Sequence, residues 1–261
     1  MNPIKRKYLS ALFFTSALAS SAIAQTGTFT SMSMASYGAL VSPDSIVAGF
    51  GSNLGVGNTA GSPPLQTTLA GASVTITDSA GAKFAAPLYL VSPGQINYLI
   101  PAGAAIGKAT VAVTTANGML PGTLLISNIA PAIATASADG KGVPAAQLFR
   151  LNAAGVTSVQ PVFMGSTGAY TPAPINLSTA SDQVYLMLYG TGIRRHSLNP
   201  VIATLGGIRV PVTYAGAQSQ FPGLDQVNIG PLPQSLVGKG AVNLVLTVDG
   251  VPANTVALNF Q

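Results

Sequence analysis

The chain has 261 residues, and its 11 Lys and Arg against 6 acidic residues give a formal charge of +5. Three of those cations, Lys5, Arg6 and Lys7, crowd the first seven positions, so the remainder carries only +2, and no clustered basic face of the kind nucleic acids require is present. Cysteine and glutamate are absent and His196 is the only histidine, which excludes a disulfide framework and most transition-metal sites.

The basic start is followed by the uncharged apolar run Tyr8 to Ala19 and by Ala22-Ile23-Ala24, a small-x-small cleavage site. Residues 1–24 are therefore expected to be a secretory signal peptide, cut near Ala24-Gln25. The run is shorter than the roughly 20 residues needed to span a bilayer. A secreted or extracytoplasmic product, in the periplasm or at the cell surface, with no transmembrane segment after cleavage, is the expectation. Residues 25–36 are rich in Ser, Thr and Met and read either as a first strand or as a disordered leader.

From there short strands dominate. Ser45 to Gly51 is apolar and ends at glycine, Ala72 to Asp78 alternates with period two, and Ala85 to Val91 follows the turn Asp78-Ser79-Ala80-Gly81. After the turn Ser92-Pro93-Gly94, Gln95 to Ile100 alternates until Pro101 ends it. Thr110 to Thr114 is the next strand, and Asn117-Gly118 is a strong hairpin signal before Leu124 to Ile126. These elements define a first unit over 37–129.

Val143 to Leu151 and Val156 to Met164 read as the arms of a hairpin turning at Asn152-Ala153-Ala154-Gly155, so 130–180 is set apart as a hairpin-containing insertion or linker, with the option of supplying strands to the second unit. A second unit over 181–261 begins with the apolar strand Asp182 to Leu188. It continues through Asn199 to Ile208, with a turn at Gly206-Gly207, then Arg209 to Ala215 and Gln226 to Ile229. Asp249-Gly250 repeats the hairpin signal before the last strand, Thr255 to Phe260. No window shows helical spacing with a matching polar face. The fold class expected is all-β: two related Ig-like β-sandwich units joined by the hairpin-containing segment.

The two units are related because the chain repeats itself. Gln95, Asn97, Gly107, Lys108 and Val111 return as Gln226, Asn228, Gly238, Lys239 and Val242 at one constant separation, and Phe50-Gly51-Ser52-Asn53-Leu54 is echoed by Tyr189-Gly190-Thr191-Gly192-Ile193. A repeat on this scale signals two copies of one supersecondary unit.

Val184 to Ile193, Val212 to Gly216, Gly223 to Asn228, and the tail Leu246 to Gly250 with Ala253 to Val256 form an ordered set of motifs. With Pro131 to Ala146 added, the second half resembles the Solibacter uncharacterised C-terminal domain family, a β-rich module at the ends of exported acidobacterial proteins. The first unit, through Ser45 to Gly51 and Ser92 to Asn97, is similar to the repeats that commonly precede that module. The resemblance implies an Ig-like or IPT/TIG-like sandwich outside the cytoplasm, and carries no activity with it.

Chemistry is sparse. His196 follows Arg194-Arg195 but has no G-x-S-x-G elbow to serve. Four of the six aspartates sit in or beside Gly-containing turns, where their carboxylates bond nearby backbone donors, and no D-x-D-x-D-G calcium run exists. No catalytic residue, cofactor or metal ligand is therefore assigned. Gln95, Asn97, Gly107, Gln226, Asn228 and Gly238 are expected to be structural, with the four amides bonded to loop backbone, or alternatively to form a strip that recognises sugar or peptide. Tyr170, Tyr189, Arg194, Arg195 and His196 are the binding candidates. The leading expectation is a non-catalytic binding or adhesion protein whose partner is an unknown protein or glycan at the cell surface. A carbohydrate-binding accessory module or cryptic hydrolase, and an envelope component that assembles by β-strand addition, are the alternatives.

Overall fold

The structure, a computed structural model, describes residues 27–166 and 168–261. The expected signal peptide and its cleavage site lie outside the described residues. Among these residues the regular structure is β throughout, apart from one 3₁₀ turn at Gln234–Leu236. No described helix is long and apolar enough to cross a membrane.

The first unit opens with β1 (Phe29–Ser33), β2 (Leu40–Val41), β3 (Ile46–Phe50), β4 (Thr59–Ala60), β5 (Thr68–Leu69) and β6 (Ala72–Thr77). It is completed by β7 (Lys83–Ala85), β8 (Leu88–Val91), β9 (Gln95–Leu99), β10 (Gly107–Thr115) and β11 (Gly118–Ile126). The strands run in the order β4-β8-β9-β3-β1-β11-β10-β6-β5. Side chains alternate along each strand, and β6, β9, β10 and β11 each turn an apolar face inward. Val74 and Ile76, Ile96 and Tyr98, Val111 and Val113, and Leu120 and Leu124 meet in one buried cluster, so the two arms of the ribbon close face to face about β1.

β1 is the strand the composition hides. Phe29, Ser31 and Ser33 point inward, and two small hydroxyl residues blur the period-two signal. It pairs antiparallel with β3 and parallel with β11, which makes it part of the first unit rather than a leader. The buried Tyr98 hydroxyl donates to Ser31 Oγ at 2.7 Å, and burial pushes its phenol well above the usual range. A Cβ at Gly49 would lie 2.0 Å from the Phe29 ring, so only glycine lets that ring cross β3.

The second unit begins with β12 (Ala132–Ile133), β13 (Ala146–Leu151), β14 (Thr157–Pro161), β15 (Phe163–Ser166), β16 (Ala169–Pro172), β17 (Pro174–Ile175) and β18 (Gln183–Thr191). Then come β19 (Ile202–Leu205), β20 (Ile208–Val210), β21 (Val212–Ala217) and β22 (Asp225–Ile229). The last three are β23 (Gly240–Val248), β24 (Val251–Pro252) and β25 (Val256–Phe260). One sheet is β14-β13-β18-β22-β21 with β12 on β18, and the other is β17-β25-β23-β19-β20 with β24 on β23. β15 and β16 form a separate hairpin.

β12, β13 and β17 come from the hairpin-containing segment and supply strands to these two sheets, and Val143, Leu148 and Ile175 join the core. The hairpin at Asn152 forms as its residues predict, with the Asn152 side chain accepting the Ala154 and Val156 N–H groups. Its partner across β13 is distant in sequence, and local patterning carries no trace of such a pairing.

Pairing register shows the duplication directly. Phe50 faces Gln95 and Ala48 faces Asn97 between β3 and β9, as Tyr189 faces Gln226 and Met187 faces Asn228 between β18 and β22. The neighbouring strand carries a bulge in both copies, between Leu88 and Leu90 and between Val212 and Tyr214. In the first unit β1 serves both sheets. In the second that work is divided between β13, on β18, and β17, on β25.

Candidate binding face

Each copy places the same amide pair on its sheet. Gln95 Nε2 donates to Asn97 Oδ1 at 2.7 Å, and Gln226 Nε2 donates to Asn228 Oδ1 at 2.8 Å. The expectation that these amides bond to loop backbone gives way to a bond between neighbours on one strand face, because residues two apart point the same way. All four are half-buried, and each asparagine borders a hollow. Gly107 and Gly238 lie apart from these hollows, both with positive φ (128° and 69°).

In the first unit the hollow of about 310 Å³ is lined by Met34, Ile46, Tyr89, Leu90 and Asn97, and by Phe221 and Leu224 of the second unit. The loop that carries those two residues joins β21 to β22. Between the matched positions Leu90/Gln95 and Tyr214/Gln226 it is seven residues longer than its counterpart, the turn at Ser92-Pro93-Gly94. Several bonds hold it. The Tyr89 hydroxyl donates to the Pro222 carbonyl. The Thr191 hydroxyl accepts the Ile46 N–H at 2.9 Å and donates to the Gly223 carbonyl at 2.8 Å. Gly223, at φ 79°, comes so near that a Cβ would lie 2.3 Å from Leu99 and 3.0 Å from the Asp44 carbonyl oxygen. The two units therefore form a fitted joint, with the loop of one seated on the sheet of the other.

The second unit carries the corresponding hollow, about 370 Å³, lined by Phe149, Leu151, Gln183, Tyr185, Met187, Thr213 and Asn228. Register equates Tyr185 with Ile46, Asn228 with Asn97, Thr213 with Tyr89, and Phe149 with Met34. No loop of the described residues lies over it. The Phe149 and Tyr185 rings sit 6.3 Å apart at 54°, an attractive tilted geometry. The Tyr185 hydroxyl donates to Gln183 Oε1 at 3.0 Å, and further along the same strand face the Tyr189 hydroxyl donates to Gln147 Oε1 at 3.1 Å. The result is an uncharged strip of rings and amides. It presents apolar surface to be buried and fixed donors and acceptors to orient whatever buries it.

Of the residues singled out from sequence, Tyr189, Gln226 and Asn228 lie on this face. Tyr170 packs edge-on against Phe163 at 5.3 Å in the separate hairpin. Arg194 and Arg195 work at the joint end of the second unit. Arg194 Nε donates to the fully buried Asp225 at 2.6 Å, while Asp225 also accepts the Ile193 N–H at 2.7 Å. Burial raises the Asp225 carboxyl, against the pull of the Ile193 N–H and the guanidinium. Arg195 crosses to the first unit, donating to the Ala102 carbonyl at 2.8 Å and facing Asp44 at 3.5 Å. Both His196 ring nitrogens face carbonyl oxygens, of Ser197 and Ala215, and the Ser197 hydroxyl donates to Asp249 at 2.6 Å. A nucleophilic triad needs that hydroxyl on the imidazole instead.

The binding candidates chosen from the sequence left out Phe149, Tyr185 and Met187, which the structure places together on this face. Among the described residues no group of three or more His, Cys, Asp or Glu is placed to hold a metal ion.

No known family profile and no curated protein matches the chain. Among solved structures it is similar to the Bacteroides ovatus mixed-linkage glucan utilization locus protein SGBP-B in complex with a mixed-linkage heptasaccharide. The identity is 13% and the TM-score 0.33, over 85% of this chain and 43% of that one. It is also similar to a tetra-tandem repeat from the extending region of a large adhesion protein (15%, TM-score 0.24, 90% and 74%) and to domains 5–6 of the S-layer protein SbsC (13%, TM-score 0.25, 89% and 96%). The chain thus spans under half of the glucan-utilization protein, and none of these TM-scores reaches 0.5.

Proposed function

We propose that this chain is a non-catalytic exported binding protein of the cell surface, and that the Phe149–Tyr185–Asn228 face of the second unit is where it binds. One observation carries the reading. The same face exists twice, and the copy in the first unit is already used as a docking surface while the copy in the second stands open. The aspartates support it, because each serves a turn, a backbone donor or an arginine rather than a second carboxylate. The face bears no charge, so the partner it suits is neutral, a protein surface or a glycan.

The test is a binding screen of the full chain against neutral polysaccharides and cell-surface protein extracts, run beside Phe149→Ser/Tyr185→Ser. Binding that falls by about tenfold or more in the double variant supports the reading. A ligand bound equally well by both proteins would place the site elsewhere. Turnover of any substrate, lost on changing His196 or an aspartate, would overturn the non-catalytic part.

A further inference from the structure

The internal joint has two halves, and each unit uses only one of them. The second unit contributes an end, made of the residues after β18 and the β21–β22 loop, while the first contributes a sheet face. The first unit's own end and the second unit's own face are left over. From this we infer that a second copy of the chain occupies the open face, seating the end of its first unit there and so repeating the internal joint between molecules. The inference rests on the binding reading above and names the partner.

The leftover end is built like the one in use. Leu54 and Ile193, both buried, plug the two ends at matched positions, and past them Val56 stands where Arg195 stands. Around Val56 the end is closed by backbone bonds, Gly51 N–H to the Gly94 carbonyl and Leu54 N–H to the Pro93 carbonyl, and the Asn117 amide ties in through the Asn53 carbonyl. Val56 is fully exposed at its tip, the kind of apolar side chain a partner surface would cover.

Differences between the copies are paired, and this makes the fit specific. In the internal joint Arg195 of the end faces Asp44 of the face. In the intermolecular joint their counterparts are Val56 and Gln183, so both charges disappear together and neither is left unpaired. The internal face is aliphatic, Met34 and Ile46, and the aromatic ring arrives on the loop as Phe221. On the open face the rings are already present as Phe149 and Tyr185, and the opposing end has the short turn Ser92-Pro93-Gly94 in place of the long aromatic loop. Bulk has moved from one side of the joint to the other. The hydroxyl on the bulge, Tyr89 in the joint, is kept as Thr213, which meanwhile donates to the Asn228 carbonyl at 3.3 Å.

An end that docks on a face elsewhere on the same molecule makes a heterologous contact, which grows into a ring or an open filament rather than stopping at a symmetric dimer. Sedimentation of the full mature chain across a concentration series should therefore show mass rising past the dimer. Val56→Asp spoils the end and Gln183→Glu spoils the face, like charges that cannot pair with each other; both residues are exposed, so neither change disturbs a core. Each variant alone should weaken association by about tenfold or more, since a charge is taken out of water without a partner. Mixed, the two variants should form one capped dimer, with the intact face of one on the intact end of the other, and nothing longer. A strictly monomeric wild type up to millimolar concentration, or a closed dimer indifferent to both changes, would overturn the inference. In either case the ligand screen separates the two proposals. If a glycan or foreign protein binds and Phe149→Ser/Tyr185→Ser abolishes it, the binding face stands with a different occupant; if nothing binds, both fall.

Discussion

Thr191 shows how much of the joint rests on one small side chain. Its hydroxyl takes an N–H from the first unit and gives its proton to the loop carbonyl that lies against that unit. Thr191→Val keeps the shape and removes both bonds, leaving the buried Ile46 N–H unsatisfied, and should cost about 2 kcal/mol in urea denaturation. Asp225 is the other critical residue: with its carboxylate removed in Asp225→Ala, the partly buried Arg194 loses its partner, and the expected loss is about 3 kcal/mol. Acid sensitivity has a different source. The Ala105 N–H chiefly, with those of Ala82 and Ala80, holds the Asp78 carboxyl below its ordinary value against the opposing effect of burial, and the Ser197 hydroxyl and N–H do the same for Asp249. A folded value below the unfolded one means that this stability is present above about pH 4 and is lost as pH falls through the lowered values. Denaturation curves at about pH 5 and about pH 3 should show a smaller difference in Asp78→Asn than in wild type. The turn role of Asp78 was legible in Asp78-Ser79-Ala80-Gly81. The Arg194–Asp225 pair was not, because thirty residues of loop and strand separate the two and only the fold brings them together.

Turns were the elements most faithfully written in the sequence. Asn117-Gly118, Gly206-Gly207 and Asp249-Gly250 each lie where one strand turns back on the next, and Gly118, Gly206, Gly207, Asp249 and Gly250 take the positive φ that suits such turns. Strands with apolar alternation, such as β6 and β9, were equally plain. β1 was ambiguous because serine fills two of its inward positions, and β13 read as a free hairpin arm because its second partner, β18, lies far along the chain. The extra length of the β21–β22 loop, and its purpose, came from the structure. Gly223→Ala should unseat that loop through both its positive φ and its clash with Leu99, at a cost of about 2 kcal/mol, and should raise proteolytic cleavage within Gln218–Leu224. Alanine at Gly49 should lower thermal stability by a similar amount by pushing the Phe29 ring off β3, without touching the joint.

For the molecule as a whole, duplication explains both the architecture and the open face. A gene doubled in tandem yields two copies of every surface, and joining the copies end to face consumes one of each. The repeat at Gln95 and Gln226 was the strongest signal in the chain and foretold two related sandwiches. It could not say whether they touch, because the loop that completes the internal contact is seven residues longer than its counterpart and bonds to residues far off in the sequence. The account stands on that contact being a rigid seat. Residual dipolar couplings measured on amides of both units test it most directly: wild type should fit one alignment tensor, and Phe221→Ala combined with Thr191→Val should need two. Two independent tensors in the wild type would mean that the units tumble separately, and the first unit's face would then be as open as the second's.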